Sequence, residues 1–248
     1  MNLGIKNKIA LVTGGNKNIG KFISNALANE GADLIIAARS ASESASDFQK
    51  NKVYKFIDID LMLPDGPNKL IEYLEDNDYW PDIVIHNLGG SLNVWDSFSN
   101  VDEWAKVWQF NLGIGHELNC KIIPKMIEKK WGRIVHLSTL STATYEGNAA
   151  YLSAKCALEG YVKRVSKDIS KHNVIMNIVA PGLVELEERY LTEKAKKEPE
   201  FIESYFDHHL PIRRMCKPSE VGRLVAFMCS EHSAFMPGAI VRIDGGGY

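Results

Sequence analysis

Tyr151 and Lys155 lie four residues apart in YLSAK (151–155), a spacing that puts a phenol and an ammonium on one face of a helix, one turn from each other. A free phenol ionises near pH ~10, too high to act as a base at neutral pH, but a nearby ammonium stabilises the phenolate and lowers that value. The pair therefore suits proton transfer at an oxygen, which must accompany any hydride moved to or from the carbon bearing it. Such pairs also arise by chance on long helices, so the rest of the chain must decide.

A second candidate group lies near the start. TGGNKNIG (13–20) follows the apolar run IALVT (9–13) and leads into a helix expected to begin near Lys21. A glycine-rich turn between strand and helix lets backbone N–H groups and the helix N-terminus approach a pyrophosphate, although a tight turn also needs glycine for its dihedrals. Gly14, Asn16, Lys17, Asn18, Ile19 and Gly20 are thus candidate dinucleotide contacts. An acid beyond such a loop, at the end of the next strand, would grip the ribose hydroxyls of NAD. Here that strand ends in Ala38, Arg39 and Ser40, and Lys17 adds a second cation. A missing carboxylate and two cations favour NADP(H), with its 2′-phosphate, over NAD(H). Asp58 and Asp60, in FIDIDL, are placed either to touch the adenine or to cap a turn.

These groups need a scaffold that brings distant segments to one edge. Short apolar runs at 9–13, 33–38, 53–57, 82–87, 133–138, 177–181 and 239–243 read as buried strands, and helical patterning fills stretches such as 21–30 and 101–129. That alternation predicts an α/β fold, a doubly wound parallel sheet in three layers, as a single domain over 1–248. The charged and aromatic stretch from Glu185 to Pro211 breaks the rhythm and reads as a helical lid over the carboxyl edge of the sheet. Of the 248 residues 45% are hydrophobic and 24% charged, the balance of a globular protein with a packed core. A net charge of -2 gives no general attraction to nucleic acid or an anionic membrane, and no run approaches the ~20 apolar residues of a membrane span. Four dispersed cysteines form no CxxC pair, and His208 and His209 have no third partner, so neither a disulfide framework nor a metal site is expected. The expected location is cytoplasmic.

TGGNKNIG, HNLGG (86–90), Asn111, GRIVHLST (132–139), YLSAK, NIVAPG (177–182) and IDGGG (243–247) occur in the order and approximate spacing of the short-chain dehydrogenase/reductases, and the chain resembles that family over essentially its whole length. The resemblance implies a Rossmann fold, a nicotinamide cofactor, and catalysis by Asn111, a hydroxyl, Tyr151 and Lys155. By the same resemblance Asn111 supports a water chain from Lys155, where otherwise it would only satisfy helix backbone. For the hydroxyl, counting from the strand reaches Thr139, counting back from Tyr151 reaches Ser138, and Ser141 is more distant; Ser138 is the choice because it keeps the usual side chain. Asn87, Gly89, Pro181, Gly182, Tyr151 and Lys155 become cofactor contacts, and the Val184 backbone replaces a threonine contact that Leu186 cannot make. Asn18 stands where the family has its middle glycine, and asparagine tolerates left-handed dihedrals better than most residues. His86 and Leu88 depart from the usual Asn-Asn-Ala-Gly. A homo-oligomer, tetramer or dimer, is also implied, built through the helices after Asn111 and Tyr151.

The expected activity is NADP(H)-dependent hydride transfer at a carbonyl or hydroxyl carbon. Trp95, Tyr145, Glu146, Glu185, Tyr190, Tyr205, Phe206, His208 and His209, on the loops expected to meet substrate, suggest a small polar molecule such as a sugar derivative. The alternatives are an epimerase or dehydratase with tightly bound nicotinamide, and a regulator that binds NADP without catalysis.

Overall fold

The computed structural model describes residues 1–48, 53–187 and 190–247. All seven apolar runs form strands: β1 (Ile9–Thr13), β2 (Asp33–Ala38), β3 (Val53–Asp58), β4 (Ile83–His86), β5 (Gly132–Leu137), β6 (Val174–Pro181) and β7 (Ile240–Ile243). They make one parallel sheet in the order β3-β2-β1-β4-β5-β6-β7. Between them lie α1 (Asn18–Asn29), α2 (Gly66–Asp76), α3 (Val101–Trp108), α4 (Ile114–Lys129), α5 (Ser141–Thr144), α6 (Ala149–Ile169), α7 (Tyr190–Lys197), α8 (Pro199–His209) and α9 (Pro218–Met228).

Alternate strand side chains point to opposite faces, so each central strand feeds two cores. Ala10, Val12, Leu34 and Ile36 pack with Ile23 and Leu27 of α1 and Val221 and Val225 of α9. Leu11, Ile35 and Ala37 pack with Leu70 of α2, Leu118 and Ile122 of α4, and Leu158 and Val162 of α6. Burying each such aliphatic side chain stabilises the fold by about 1.5–3 kcal/mol, which is why the strands read as unbroken apolar runs rather than alternating ones.

β1 pairs with β2 on one side and β4 on the other, so the chain reverses its winding there and leaves a crevice at the carboxyl ends of the strands. Three local features depart from the sequence reading. Helix α1 starts at Asn18, which takes left-handed dihedrals (φ 49°), rather than near Lys21. Strand β6 begins at Val174 because Val174–Met176 pair with Gly132–Ile134 of β5. The helical stretch 101–129 is interrupted by a π-turn, Gln109–Gly113, which separates α3 from α4.

The 185–211 stretch folds as α7 and α8, with Glu188, Arg189 and the Tyr190 side chain outside the described residues. Ile202 and Phe206 of α8 close with Leu210 and Met215 over a small core of their own. Among the described residues no helix is long and apolar enough to cross a membrane.

Candidate active site

The β1–α1 loop crosses the crevice in a conformation that its glycines and one asparagine dictate. A Cβ on Gly20 would fall inside the Gly14 carbonyl and 2.6 Å from Asn87 Nδ2, so helix α1 can approach the loop only with glycine there. Asn87, just after β4, fastens the loop by donating to the Thr13 and Gly14 carbonyls at 3.2 and 3.1 Å. Asn16 is buried and donates to the Ser40 carbonyl at 3.0 Å, which ties the loop to the end of β2. Lys17 and Arg39 are exposed, and both line the cleft, of about 730 Å³, that opens over the β1/β4 crevice. Gly14, Asn18, Ile19 and Ser40 line it too. Two cations and a cradle of close backbone at one end fit the pyrophosphate and 2′-phosphate of a dinucleotide.

Asp58 does something else. It accepts from Ser42 N at 2.9 Å and also from the Ser42 hydroxyl, bonds that hold its carboxyl below the usual range. It caps the turn after β2 and stands outside the cleft wall, which Asp60 lines instead.

Tyr151 and Lys155 occupy the far half of the same cleft, on the first turns of α6. Asn148 caps that helix by accepting from Tyr151 N at 2.8 Å, which seats the tyrosine at its entry. Lys155 is buried; its Nζ donates to the Leu137 carbonyl at 2.7 Å and lies 5.7 Å from the centre of the Tyr151 ring. Burial pushes the ammonium down to about 7, opposed by the charge of Glu159 one turn further along. A Cβ on Gly89 would come 2.7 Å from Asn111 Oδ1 and 2.8 Å from Lys155 Nζ, so these two polar atoms converge on space that glycine leaves open. The π-turn puts Asn111 there. Its Nδ2 donates to the Gly90 and Val107 carbonyls at 2.8 Å each and its Oδ1 accepts from Gly90 N at 3.0 Å, so the side chain is engaged with backbone behind the cleft wall.

The three candidate hydroxyls separate. Ser138 Oγ donates to Glu159 Oε1 at 2.8 Å, and Thr142 Oγ1 donates to the same oxygen at 2.7 Å. Thr139 Oγ1 donates to Ser141 Oγ at 3.3 Å. Ser138 and Ser141 line the cleft, while Thr139 does not.

Of the remaining expected residues, Pro181 lines the cleft, whereas Gly182 packs against Asp244 and Val184 bridges to Cys216 behind the wall. Among the described residues Leu186 is what the 185–211 stretch adds to the wall, and Trp95, Ser91 and Leu92 come from the loop after β4. Tyr205, Phe206, His208 and His209 stay off the wall: Phe206 is buried in the satellite core and Tyr205 packs on His209 with ring centres 4.8 Å apart.

Two features escaped the sequence reading. Glu159 follows Lys155 by one turn, a spacing that carried the signal. The other is a buried polar cluster under the π-turn. His86 and His136 stack 4.3 Å apart, and Asn119 of α4 bonds His86 Nε2 at 2.9 Å, His136 Nε2 at 3.3 Å and the Tyr161 hydroxyl at 3.2 Å. Burial pushes His86 down to about 4 and His136 well below its ordinary value, so both rings are neutral at pH 7.

The family model described as enoyl-(acyl carrier protein) reductase matches residues 14–247. The 3-oxoacyl-(acyl-carrier-protein) reductase FabG of Aquifex aeolicus is 28% identical over 253 residues, covering 99% of each chain. The structure of the L-sorbose reductase of Gluconobacter frateurii, complexed with NADPH and L-sorbose, superposes with a TM-score of 0.91 at 26% identity over 100% of this chain and 98% of that one. A 3-oxoacyl (acyl-carrier-protein) reductase of Agrobacterium tumefaciens with NADP bound gives 0.89 at 26% identity over 100% and 96%. Across that full-length correspondence, with a single parallel sheet and a tyrosine and buried lysine at its carboxyl edge, the chain belongs to the short-chain dehydrogenase/reductase family of oxidoreductases.

Proposed function

We propose that this protein is an NADP(H)-dependent oxidoreductase that moves a hydride between the nicotinamide and the carbonyl or hydroxyl carbon of a small polar substrate, such as a sugar derivative. One observation carries the reading: Lys17 and Arg39 at one end, and Tyr151 with Lys155 at the other, line a single cleft. The NADPH and NADP complexes of the two superposed reductases support the cofactor, and the L-sorbose of one supports the substrate class.

In this reading Arg39 and Lys17 hold the 2′-phosphate, and the loop from Gly14 to Gly20 receives the pyrophosphate on its backbone. Asn87, Gly89 and Pro181 line the way to the nicotinamide end. When bound, the nicotinamide supplies or accepts the hydride. Tyr151 gives its proton to the substrate oxygen during reduction and takes one during oxidation. Lys155, which burial brings down to about 7, stabilises in its charged form the phenolate that remains. Asn111 holds the Gly89–Gly90 backbone against the lysine, and a hydroxyl of the 138–141 turn orients the substrate oxygen.

Residues 1–248 act as one domain in which 185–211 is the substrate lid, entering the wall through Leu186. A homo-oligomer in the cytoplasm completes the reading. The apolar groove lined by Trp104 and Trp108 of α3, Leu112 of the π-turn, His116 of α4 and Tyr161 of α6 supports association through the helices that follow Asn111 and Tyr151.

The test is a fluorescence titration with NADPH and NADH on the natural chain and Arg39→Ala, followed by turnover of L-sorbose, 2,3-butanedione and S-acetoacetyl-N-acetylcysteamine. NADPH preference should be lost in the variant, a fall of about 10-fold or more for one charge-assisted contact. Binding of neither nucleotide by the natural chain would reject the proposal, and turnover confined to the thioester would reject its sugar part.

A further inference from the structure

We propose that Asn148 is a specificity-determining residue whose Nδ2 donates to a second oxygen of the substrate, borne one or two carbons away from the carbonyl that Tyr151 protonates. This rests on the oxidoreductase reading above.

Among the described residues four buried side-chain groups lack a hydrogen-bond partner: the Tyr73 and Ser99 hydroxyls and the Nδ2 atoms of Asn148 and Asn177. Of these residues only Asn148 lines the cleft, together with Ser141, Gly147 and Tyr151. Asn148 is 6% exposed, so bulk water does not satisfy the amide. Its orientation is fixed from the other end. Oδ1 accepts from Tyr151 N at 2.8 Å, and turning the amide over would set two N–H donors against each other. The protons of Nδ2 are thus left for an acceptor that the folded chain does not supply. A buried donor without a partner destabilises the fold, and buried polar groups in folded proteins are otherwise nearly all paired. An oxygen brought into the cleft removes that penalty, which makes the amide a recognition group rather than a packing one.

Position decides which oxygen the amide meets. Asn148 is the N-cap of α6 and Tyr151 lies three residues on, so the two side chains leave the same turn, about 5–6 Å apart at Cβ. Since the phenol takes the reacting oxygen, the amide meets an oxygen close beside it, not one at the far end of the molecule. Gly147 keeps the approach open: it holds φ 97°, and a Cβ there would meet only Ser141 Oγ, at 3.9 Å. An α-hydroxy ketone, a 1,2-dione and a 3-oxo thioester each carry such an oxygen, and a simple ketone does not. A site that leaves a buried donor unpaired with the wrong substrate rejects it more strongly than an apolar pocket can. Asn148 transfers no proton in the reaction; it orients the substrate and selects it.

Kinetics with NADPH on the full chain compare the three carbonyls named above, each with a second oxygen one or two carbons from its ketone, with 2-butanone, which has none. Asn148→Ser keeps an oxygen that can cap Tyr151 N and removes the amide donor. It should lower kcat/KM by about 10-fold or more on whichever of the three carbonyls the natural chain reduces, the scale of one lost donor. The loss on 2-butanone should be at least about 5-fold smaller, and the urea midpoint should stay at its natural value. Asn148→Asp caps equally well but sets an acceptor where the donor stood, so the same ratio should widen further. Its added charge beside Tyr151 falls on all four carbonyls alike and cancels in that ratio. A loss under about 3-fold in Asn148→Ser overturns the inference. So does an equal loss on all four carbonyls, which would mark a helix cap and nothing more. A natural chain that binds NADPH but reduces none of the four removes the oxidoreductase reading and this inference together, a result distinct from any change in preference among variants.

Discussion

The stacked pair His86 and His136 should make the fold acid-sensitive in a window set by their burial. His86 holds a pKa of about 4 in the folded protein because desolvation opposes its charged form, against 6.5 when the chain is unfolded. Between those values the unfolded chain binds a proton that the folded chain refuses. Stability is thus complete above pH ~6.5 and declines as pH falls toward ~4. At pH ~5 the unfolded imidazole is almost wholly protonated and the folded one about a tenth, which corresponds to about 2 kcal/mol lost to His86 relative to pH ~7.5. His136, pushed down by burial, by His86 and by Lys155, adds loss in the same direction. Urea unfolding followed by tryptophan fluorescence at the two pH values, on the natural chain and on His86→Asn, isolates the effect. Carboxylates that titrate in the same range cancel in the comparison. The natural chain should lose more stability than the variant, by about 2 kcal/mol. Equal losses within about 0.5 kcal/mol would refute the claim that His86 is held neutral by burial.

Three further outcomes follow from the same geometry. Tyr151→Phe should lower kcat by about 10²–10⁴-fold, the range for removing a positioned acid, while NADPH titration stays at the natural affinity; a variant with near-natural kcat would move the proton donor elsewhere. Gly20→Ala places a methyl inside the Gly14 carbonyl and against Asn87, so the loop must open; NADPH affinity should fall by about 100-fold or more, on the scale of several lost backbone contacts, and natural affinity would contradict the cradle. Arg133 is fully buried and donates to the Ser230 and Asn173 carbonyls at 3.2 and 3.0 Å and to Glu231 at 3.2 Å. Arg133→Met leaves the buried Ser230 carbonyl without its donor, while Asn173 and Glu231 are open to solvent, so urea unfolding should show a loss of about 1–3 kcal/mol, and a change under about 0.5 kcal/mol would show that solvent replaces the guanidinium.

The strands and their parallel arrangement were legible in the chain because burial on both faces demands unbroken apolar runs, which here alternate with helical patterning, whereas the order of the strands in the sheet was not. The helix pair Tyr151 and Lys155 was legible for a similar reason: helical periodicity is local, so four residues of separation already determine a shared face. The glycine loop and Arg39 were readable because a close backbone approach and a charge leave little choice of residue type.

Tertiary structure decided what depends on which segments meet. The π-turn that brings Asn111 Oδ1 toward Lys155 Nζ has no local signature in QFNLG, since it arises from the junction of two packed helices. The direction of Ser138 was equally hidden: counting residues placed it at the end of β5, but only the packing of α6 on that strand sets Glu159 beneath it. His86 and His136 became a buried, neutral pair because β4 and β5 lie side by side in register, His86 opposite His136. Asp58 and Asp60 were interchangeable as letters, and the turn after β2 separated them by claiming one as a cap and leaving the other on the cleft. Residue type and local period thus determined the scaffold and the reactive pair. Which partner each hydroxyl takes, which carboxylate lines the cleft and which charge state a buried group holds followed from long-range packing, where hydrogen-bond partners and desolvation are assigned by neighbours far away in sequence.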